Sequence, residues 1–235
     1  MKIEILQLIE GARQARGLTV IIDVFRAMTV ESFLMARGVE KLYPVGDVQV
    51  ARDYKAAHPD AILCGERGGA IIEGFDFGNS PSAVEHLDFT GKTVIHTTSA
   101  GTQGIANATG ADEILGGCLY NAVATAKYIK AKNPEYVSLV CMGLAGERPT
   151  DEDTLCALYI KSLLEGNPLE DMEQRVANLK LTDGAKFFDP EQQSVFPQRD
   201  FELSTMVGGC PFALHLIHDP ETGMDCMERI DMALI

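Results

Sequence analysis

No run of apolar residues in this 235-residue sequence approaches the roughly 18 needed to cross a bilayer. The first residues, MKIEILQLIEGARQ, have neither a basic start followed by a long apolar core nor a small-residue cleavage site. A cytoplasmic protein without a membrane partner is therefore expected. Positive charge is scarce: 20 Lys and Arg stand against 34 Asp and Glu, a net charge of −14. Binding to nucleic acid needs a basic face, so this balance argues against a nucleic-acid partner. Screening confines charge effects to about 8 Å at physiological ionic strength, so a few local cations can still dominate an anion site. The six cysteines (Cys64, Cys118, Cys141, Cys156, Cys210 and Cys226) form no CxxC pair and lie mostly inside apolar segments. Neither a zinc site nor a redox motif is suggested, and reduced, buried thiols are expected. Also missing are the P-loop pattern GxxxxGKS/T, the dinucleotide fingerprint GxGxxG and the nucleophile elbow GxSxG. There is no internal repeat and no low-complexity tract.

What is present is an alternation. Strand-like apolar runs fall at 2–6, 18–22, 39–45, 61–63, 93–96, 112–115 and 135–142, with helical patterns at 26–37, 47–57, 101–108, 120–131 and 151–164. Regular alternation predicts an α/β fold: a largely parallel or mixed sheet with helices on both faces. In such sheets ligands bind at the carboxyl ends of strands, so the strand-end loops are where the site is sought. With 46% hydrophobic residues the chain can bury one full core, as one domain or two tightly joined lobes. Residues 1–165 read as the α/β core. After about 165 the pattern loosens: 169–180 looks helical, and KFFDPEQQSVFPQRDFELS is broken by prolines and glutamines. Residues 166–235 are expected to complete the fold or to form a second lobe.

Four strand-end loops carry chemistry. In IIDVFRAMTV the apolar run stops at Asp23, with Arg26 three positions on; Asp23 could equally cap the helix and pair with Arg26. CGERGGAIIEGFDFGNSP sets Glu66 and Arg67 among glycines, which also suit a plain surface turn, and then places Asn79 and Ser80 before Pro81. HTTSAGTQGI offers Thr97, Thr98, Ser99 and Thr102 at a helix start, more hydroxyls than capping needs and an anion site by its N–H groups. His96 there reads as a core histidine or one behind the site. AGERPTDEDTLCAL brings Arg148, Glu152 and Asp153, although capping by Thr150 or Asp151 explains acids in a first helical turn. Together the loops supply hard oxygen ligands suited to Mg²⁺ and cations plus N–H donors for an oxyanion.

Two phosphatase templates fail on spacing. Val24 and Phe25 leave no second aspartate at the +2 position used by haloacid-dehalogenase-like enzymes. Cys141 and Arg148 are separated by six residues, one more than the CxxxxxR loop of cysteine phosphatases.

The motifs IIDVFRAMTV, CGERGG, FDFGNSP, TTSAGT and EDTLCA, in that order, resemble those of the 2-phosphosulfolactate phosphatase family over most of residues 18–160. The resemblance implies a Mg²⁺-dependent hydrolase that converts 2-phospho-3-sulfolactate to 3-sulfolactate and phosphate, a step of coenzyme M biosynthesis, on an α/β fold unlike other phosphatases. The positions that match the family pattern are Asp23, Arg26, Glu66, Arg67, Asn79, Thr98, Gly101, Thr102, Glu152 and Asp153. Met28, Val30 and Ala100 depart from it, and contacts expected of a hydroxyl or amide there do not carry over. Such a substrate carries about four negative charges near neutral pH. Arg26, Arg67, Arg148 and Mg²⁺ are the expected counter-charges, with Asn79, Ser80 and the 97–102 loop binding substrate. Asp23, Glu66 and one of Glu152 or Asp153 are expected to hold the metal, the remaining carboxylate acting as general base. Asp23 and Cys64 both stand as candidate nucleophiles beside direct attack by water. Two rival readings are a related phosphatase for another small phosphorylated acid and a non-catalytic binder of a small anion. Enzymes of this size are commonly symmetric, so a homo-oligomer is a further expectation.

Overall fold

The computed structural model describes residues 1–232. The chain opens with strand β1 (Lys2–Gln7), helix α1 (Leu8–Gln14) and strand β2 (Gly17–Ile22), whose β-branched run is buried from Leu18 onward. Helix α2 (Ala27–Ala36) follows the Asp23 turn, then β3 (Lys41–Pro44), α3 (Val48–Ala57), β4 (Ile62–Arg67) and the short β5 (Ala70–Ile71). Next come α4 (Pro81–Val84), β6 (Thr93–Thr97), α5 (Gly101–Asn107), β7 (Ala111–Gly117), α6 (Ala122–Lys132), β8 (Tyr136–Cys141) and α7 (Asp151–Leu164). The last part holds α8 (Met172–Asn178), three single 3₁₀ turns between 179 and 192, α9 (Gln198–Ser204), and strands β9 (Phe212–Asp219) and β10 (Met224–Asp231).

The fold is α/β with one mixed sheet of ten strands among the described residues, in the order β1-β8-β2-β7-β9-β10-β3-β6-β4-β5. Each of the seven strand-like runs read from the sequence coincides with a strand. Two parallel blocks, β1-β8-β2-β7 and β3-β6-β4, are joined through the antiparallel hairpin β9–β10. The hairpin comes from the loosely patterned C-terminal segment and pairs with β7 on one side and β3 on the other. It is anchored at its tip, where Asp219 accepts from Tyr43 Oη (2.6 Å) and from Lys41 Nζ (3.0 Å), both on β3.

Four strands separate β2 from β6 in the sheet, yet α5, which begins just after β6, packs on β2, on α1 and on α2. That packing carries the loops after β4 and β6 to the loops after β2 and β8. Helix α2 is buried from Ala27 to Met35, polar residues included, because it lies beneath this meeting point instead of at the surface. No described helix is long and apolar enough to cross a membrane.

Candidate active site

A cavity of about 310 Å³ opens where these loops converge, a size suited to a small ligand. The loop after β2 gives it Asp23, Phe25 and Arg26; the end of β4 and the turn beyond it give Glu66, Gly68 and Gly69. Asn79, Ser99, Ala100 and residues 143–145 add to the wall, and Lys186 and Phe196 close it from the C-terminal segment.

Glu66 and Asp23 are the two carboxylates on that wall, and both are held by backbone N–H groups. Ser99 N–H donates to Glu66 Oε1 (2.6 Å), Gly69 N–H to Oε2 (2.7 Å) and Ser99 Oγ to Oε2 (3.1 Å). Ala27 N–H donates to Asp23 Oδ1 (3.1 Å), and the Gly101 N–H also stabilises the Asp23 carboxylate. The start of α5 therefore does favour an anion, but the anions it holds are the protein's own carboxylates. Gly101 is needed for that approach: a Cβ there would lie 2.7 Å from Ala27 Cβ and 2.9 Å from Asp23 Oδ2. Burial, reinforced by the charge of Glu66, lifts the Asp23 carboxyl to about 6 against the pull of those N–H donors.

The other hydroxyls of the 97–102 loop brace it. Thr102 Oγ1 accepts from Thr98 N–H (2.8 Å) and Thr98 Oγ1 from Thr102 N–H (3.2 Å), a reciprocal lock across the helix start. Thr97 Oγ1 accepts from Arg67 Nη2 (2.9 Å). Of the four, only Ser99 lines the cavity. The sequence reading gave all of them to substrate, and the surplus of hydroxyls is explained instead by these internal partners.

The arginines are similarly committed. Arg26 is buried at the cavity, and its guanidinium donates to Asp200 Oδ2 (2.7 Å), Val195 O (2.8 Å) and Gly69 O (3.2 Å). Arg67 is exposed and turns to Glu66 O, Gly46 O and Thr97, outside the cavity wall. Arg148 is exposed and paired with Asp183 (2.6 Å), also outside it. Ser80 donates to Asp200 Oδ1 (2.8 Å) and does not line the cavity.

The expected three-carboxylate metal set does not assemble: among the described residues no three His, Cys, Asp or Glu side chains form a metal-holding group. Asp153 spends both oxygens on backbone donors, Val24 N–H and Gly143 N–H, each at 2.8 Å. It ties the loops after β2 and β8 together behind the wall, and its carboxyl is raised well above the usual range by burial, by Glu152 and by Asp23. Glu152 is buried beside it with Oε2 unpartnered, and burial raises it to about 7. Cys64 is a buried thiol donating to Gly78 O (3.3 Å), raised far above its ordinary value by burial and absent from the wall. A thiol held protonated in this way is no nucleophile near neutral pH.

Sequence reasoning missed four participants. Lys186 reaches the cavity from the segment that had no clear pattern, and burial lowers its pKa. Phe196 forms part of the wall, and Asp200 pairs with Arg26 from α9. Glu31 completes a buried line behind Asn79: His96 Nε2 lies 3.2 Å from Asn79 Oδ1 and His96 Nδ1 lies 2.8 Å from Glu31 Oε1. His96 was read as core or behind the site, and it stands behind Asn79. The buried acid at Glu31, within a helix otherwise rich in apolar residues, was the signal available for that line.

With this geometry in place, the relatives of the chain can be stated. The model of the 2-phosphosulpholactate phosphatase family matches residues 3–194. The chain belongs to that family. A probable 2-phosphosulfolactate phosphatase of Carboxydothermus hydrogenoformans is 36% identical over 77% of this chain and 75% of its own length. One of Bacillus subtilis is 29% identical over 91% of this chain and 92% of its own. One of Caldicellulosiruptor saccharolyticus is 39% identical over 63% of this chain, and the match spans 62% of that protein. The family match ends at residue 194, so Val195 and Asp200, two of the three partners of Arg26, lie beyond it, as do the central strands β9 and β10.

Proposed function

We propose that the chain is a Mg²⁺-dependent phosphomonoester hydrolase that converts 2-phospho-3-sulfolactate and water to 3-sulfolactate and phosphate, a coenzyme M-type biosynthetic step. The observation that carries this reading is the pair Asp23 and Glu66, fixed by backbone N–H groups on the wall of a small cavity that also holds Arg26 and Lys186. A binder of small anions has little use for two carboxylates at its centre. A phosphatase that carries a divalent cation does.

The donor set fits Mg²⁺ in a reduced form. An ionised carboxylate has about four lone-pair sites, so the N–H donors to Asp23 and Glu66 leave sites free. Mg²⁺ commonly takes one or two carboxylates and completes its shell with water and substrate phosphate. Asp23 and Glu66 are the residues that would hold it, and Glu152 and Asp153 are not needed. Bound there, Mg²⁺ neutralises phosphoryl oxygens and lowers the pKa of a water or orients it.

The chain's own groups account for the rest. Arg26 keeps two of its five donors beyond those used by Asp200, Val195 and Gly69, and these are available to a substrate anion. Asn79 lines the cavity, and with its amide oxygen beside His96 its N–H₂ is left to donate to another acceptor. Water attacks phosphorus, the bond from phosphorus to the C2 oxygen breaks, and the proton released by water balances the one taken by the leaving alkoxide.

The test is phosphate release from 2-phospho-3-sulfolactate with Mg²⁺ and with the metal chelated, beside phospholactate, which lacks the sulfonate. Metal-dependent release that collapses on phospholactate is expected, and Asp23→Asn abolishes it. Equal release from both substrates would indicate a phosphatase for another small phosphorylated acid. Release from neither, with tight 3-sulfolactate binding, would indicate a non-catalytic binder.

A further inference from the structure

Among the described residues Lys186 makes no salt bridge, although the charges of Glu152, Asp183 and Asp23 favour its ammonium from further away and Arg26 opposes it. No carboxylate of the described residues lies within 4 Å of its Nζ, whereas Arg26 and Arg148 each hold one, at 2.7 and 2.6 Å. Its neighbours are phenyl rings: the ammonium is 5.0 Å from the centroid of Phe196, 5.5 Å from Phe187 and 5.9 Å from Phe25. Ring faces stabilise the charge in part, but a half-buried ammonium without an anion remains costly. It lines the same cavity as Asp23 and Glu66 and belongs to the segment that closes that cavity.

The cavity thus has two chemically distinct parts. One, built by Asp23, Glu66 and the N–H groups around Ser99, suits a phosphoryl group carrying a metal ion. The other is the aromatic pocket of Phe25 and Phe196, where the Lys186 ammonium shares the Phe196 ring with the Arg26 guanidinium, 4.9 Å from its centroid. A sulfonate is a monoanion that holds its water weakly, and it loses less than a carboxylate or phosphate on entering such a pocket. We propose that Lys186, framed by these phenylalanines, binds the sulfonate and so determines the specificity of the enzyme. The inference rests on the phosphosulfolactate reading above and assigns one group of that substrate to one residue.

The experiment measures kcat/KM for 2-phospho-3-sulfolactate and for phospholactate in the wild type, Lys186→Met and Lys186→Arg, and binding of 3-sulfolactate and lactate by calorimetry. In Lys186→Met the preference for the sulfonated substrate is expected to fall about ten- to a hundredfold, the size of one charge-assisted contact, with a matching loss of 3-sulfolactate binding relative to lactate. Lys186→Arg keeps the charge and is expected to keep most of the preference, which supplies the reading if the methionine variant does not fold. A preference that survives in Lys186→Met while both rates fall together overturns the assignment, because the lysine then serves the phosphate, the carboxylate or the fold. So does a normally melting Lys186→Arg that has lost the preference. A wild type that hydrolyses neither substrate overturns the functional reading itself, and the assignment with it.

Discussion

Arg26 Nη1 lies 2.7 Å from Asp200 Oδ2, and both side chains are buried. The pair joins the loop after β2 to helix α9 across 174 residues of sequence. Asp200 Oδ1 meanwhile accepts from Ser80 Oγ (2.8 Å) and from Ser82 N–H (3.0 Å), so one carboxylate ties three segments around the cavity. This explains why Arg26, the first arginine expected to meet substrate, is at the cavity yet largely spoken for. It holds the C-terminal cover in place as well as lining the cavity.

Replacing Asp200 by Ala therefore leaves a buried guanidinium unpaired and two further donors without an acceptor. Removing one partner of a buried pair destabilises by about 3–5 kcal/mol, and urea denaturation should report a loss of that order. A change below about 1 kcal/mol would show that the three segments are held by packing alone.

Gly101→Ala puts a methyl group 2.7 Å from Ala27 Cβ, 2.9 Å from Asp23 Oδ2 and 3.1 Å from Met28 Cε. Overpacking of this kind costs about 1–3 kcal/mol, so the protein should still fold. The carboxylate must shift, and a small misplacement of a reacting or metal-holding group lowers kcat by about ten- to a hundredfold. A thermal melt together with a phosphate-release assay separates the two effects. Full activity in a folded variant would mean that Asp23 needs no such placement.

The strands and the polar strand-end loops were legible because both follow local rules: β-branched runs end at charged or glycine-rich turns. Which partner each polar residue in those loops takes, near or far in sequence, is set by the folded backbone. Thr98 and Thr102 satisfy each other, Arg67 turns to Gly46 and Thr97, and Asp153 is consumed by Val24 and Gly143. Spacing cannot distinguish a hydroxyl facing substrate from one facing its own backbone. The hairpin β9–β10 was missed for a related reason. Its strands are read as strands only once β7 and β3 are there to pair with them, and their alternation is blurred by His215, His218 and the charges of MDCMERID. Lys186 carried no local signal at all: a lysine beside two phenylalanines is an ordinary surface pattern until the fold places it at the cavity.

The thiol of Cys64 is expected to be silent. It is buried, raised far above its ordinary pKa, and donates to Gly78 O away from the cavity wall. Cys64→Ser should retain both kcat and KM, since a serine hydroxyl can make the same bond, and iodoacetamide should leave the native enzyme active. Inactivation by alkylation at Cys64, with protection by substrate, would return a cysteine phospho-enzyme to consideration.

The buried Glu152 gives the fold a pH dependence with a definite sign. Its ordinary pKa is 4.5, and burial first, with the charge of Asp183 adding, raises it to about 7 against the opposing pull of a backbone N–H and of Lys186. The folded state thus holds the proton more tightly than the unfolded chain does. Whatever the neutral carboxyl contributes is fully present below about 4.5, declines as the pH rises through that interval and is gone above about 7. Glutamine at this position keeps the shape and never ionises, and Oε2 of the native residue has no partner to lose. Glu152→Gln should therefore match the wild type in stability near pH 4.5 and exceed it at pH 8 by on the order of 3 kcal/mol, several degrees in Tm for a chain of this length. Asp23 and Asp153 are raised as well, so the wild type and the variant both soften toward alkaline pH; because Glu152 is one cause of the Asp153 shift, the gap between their melting curves reports Glu152 together with its coupling to Asp153. Parallel curves across that range would mean that the carboxylate is already compensated in the folded protein, Lys186 being the cation whose charge acts on it.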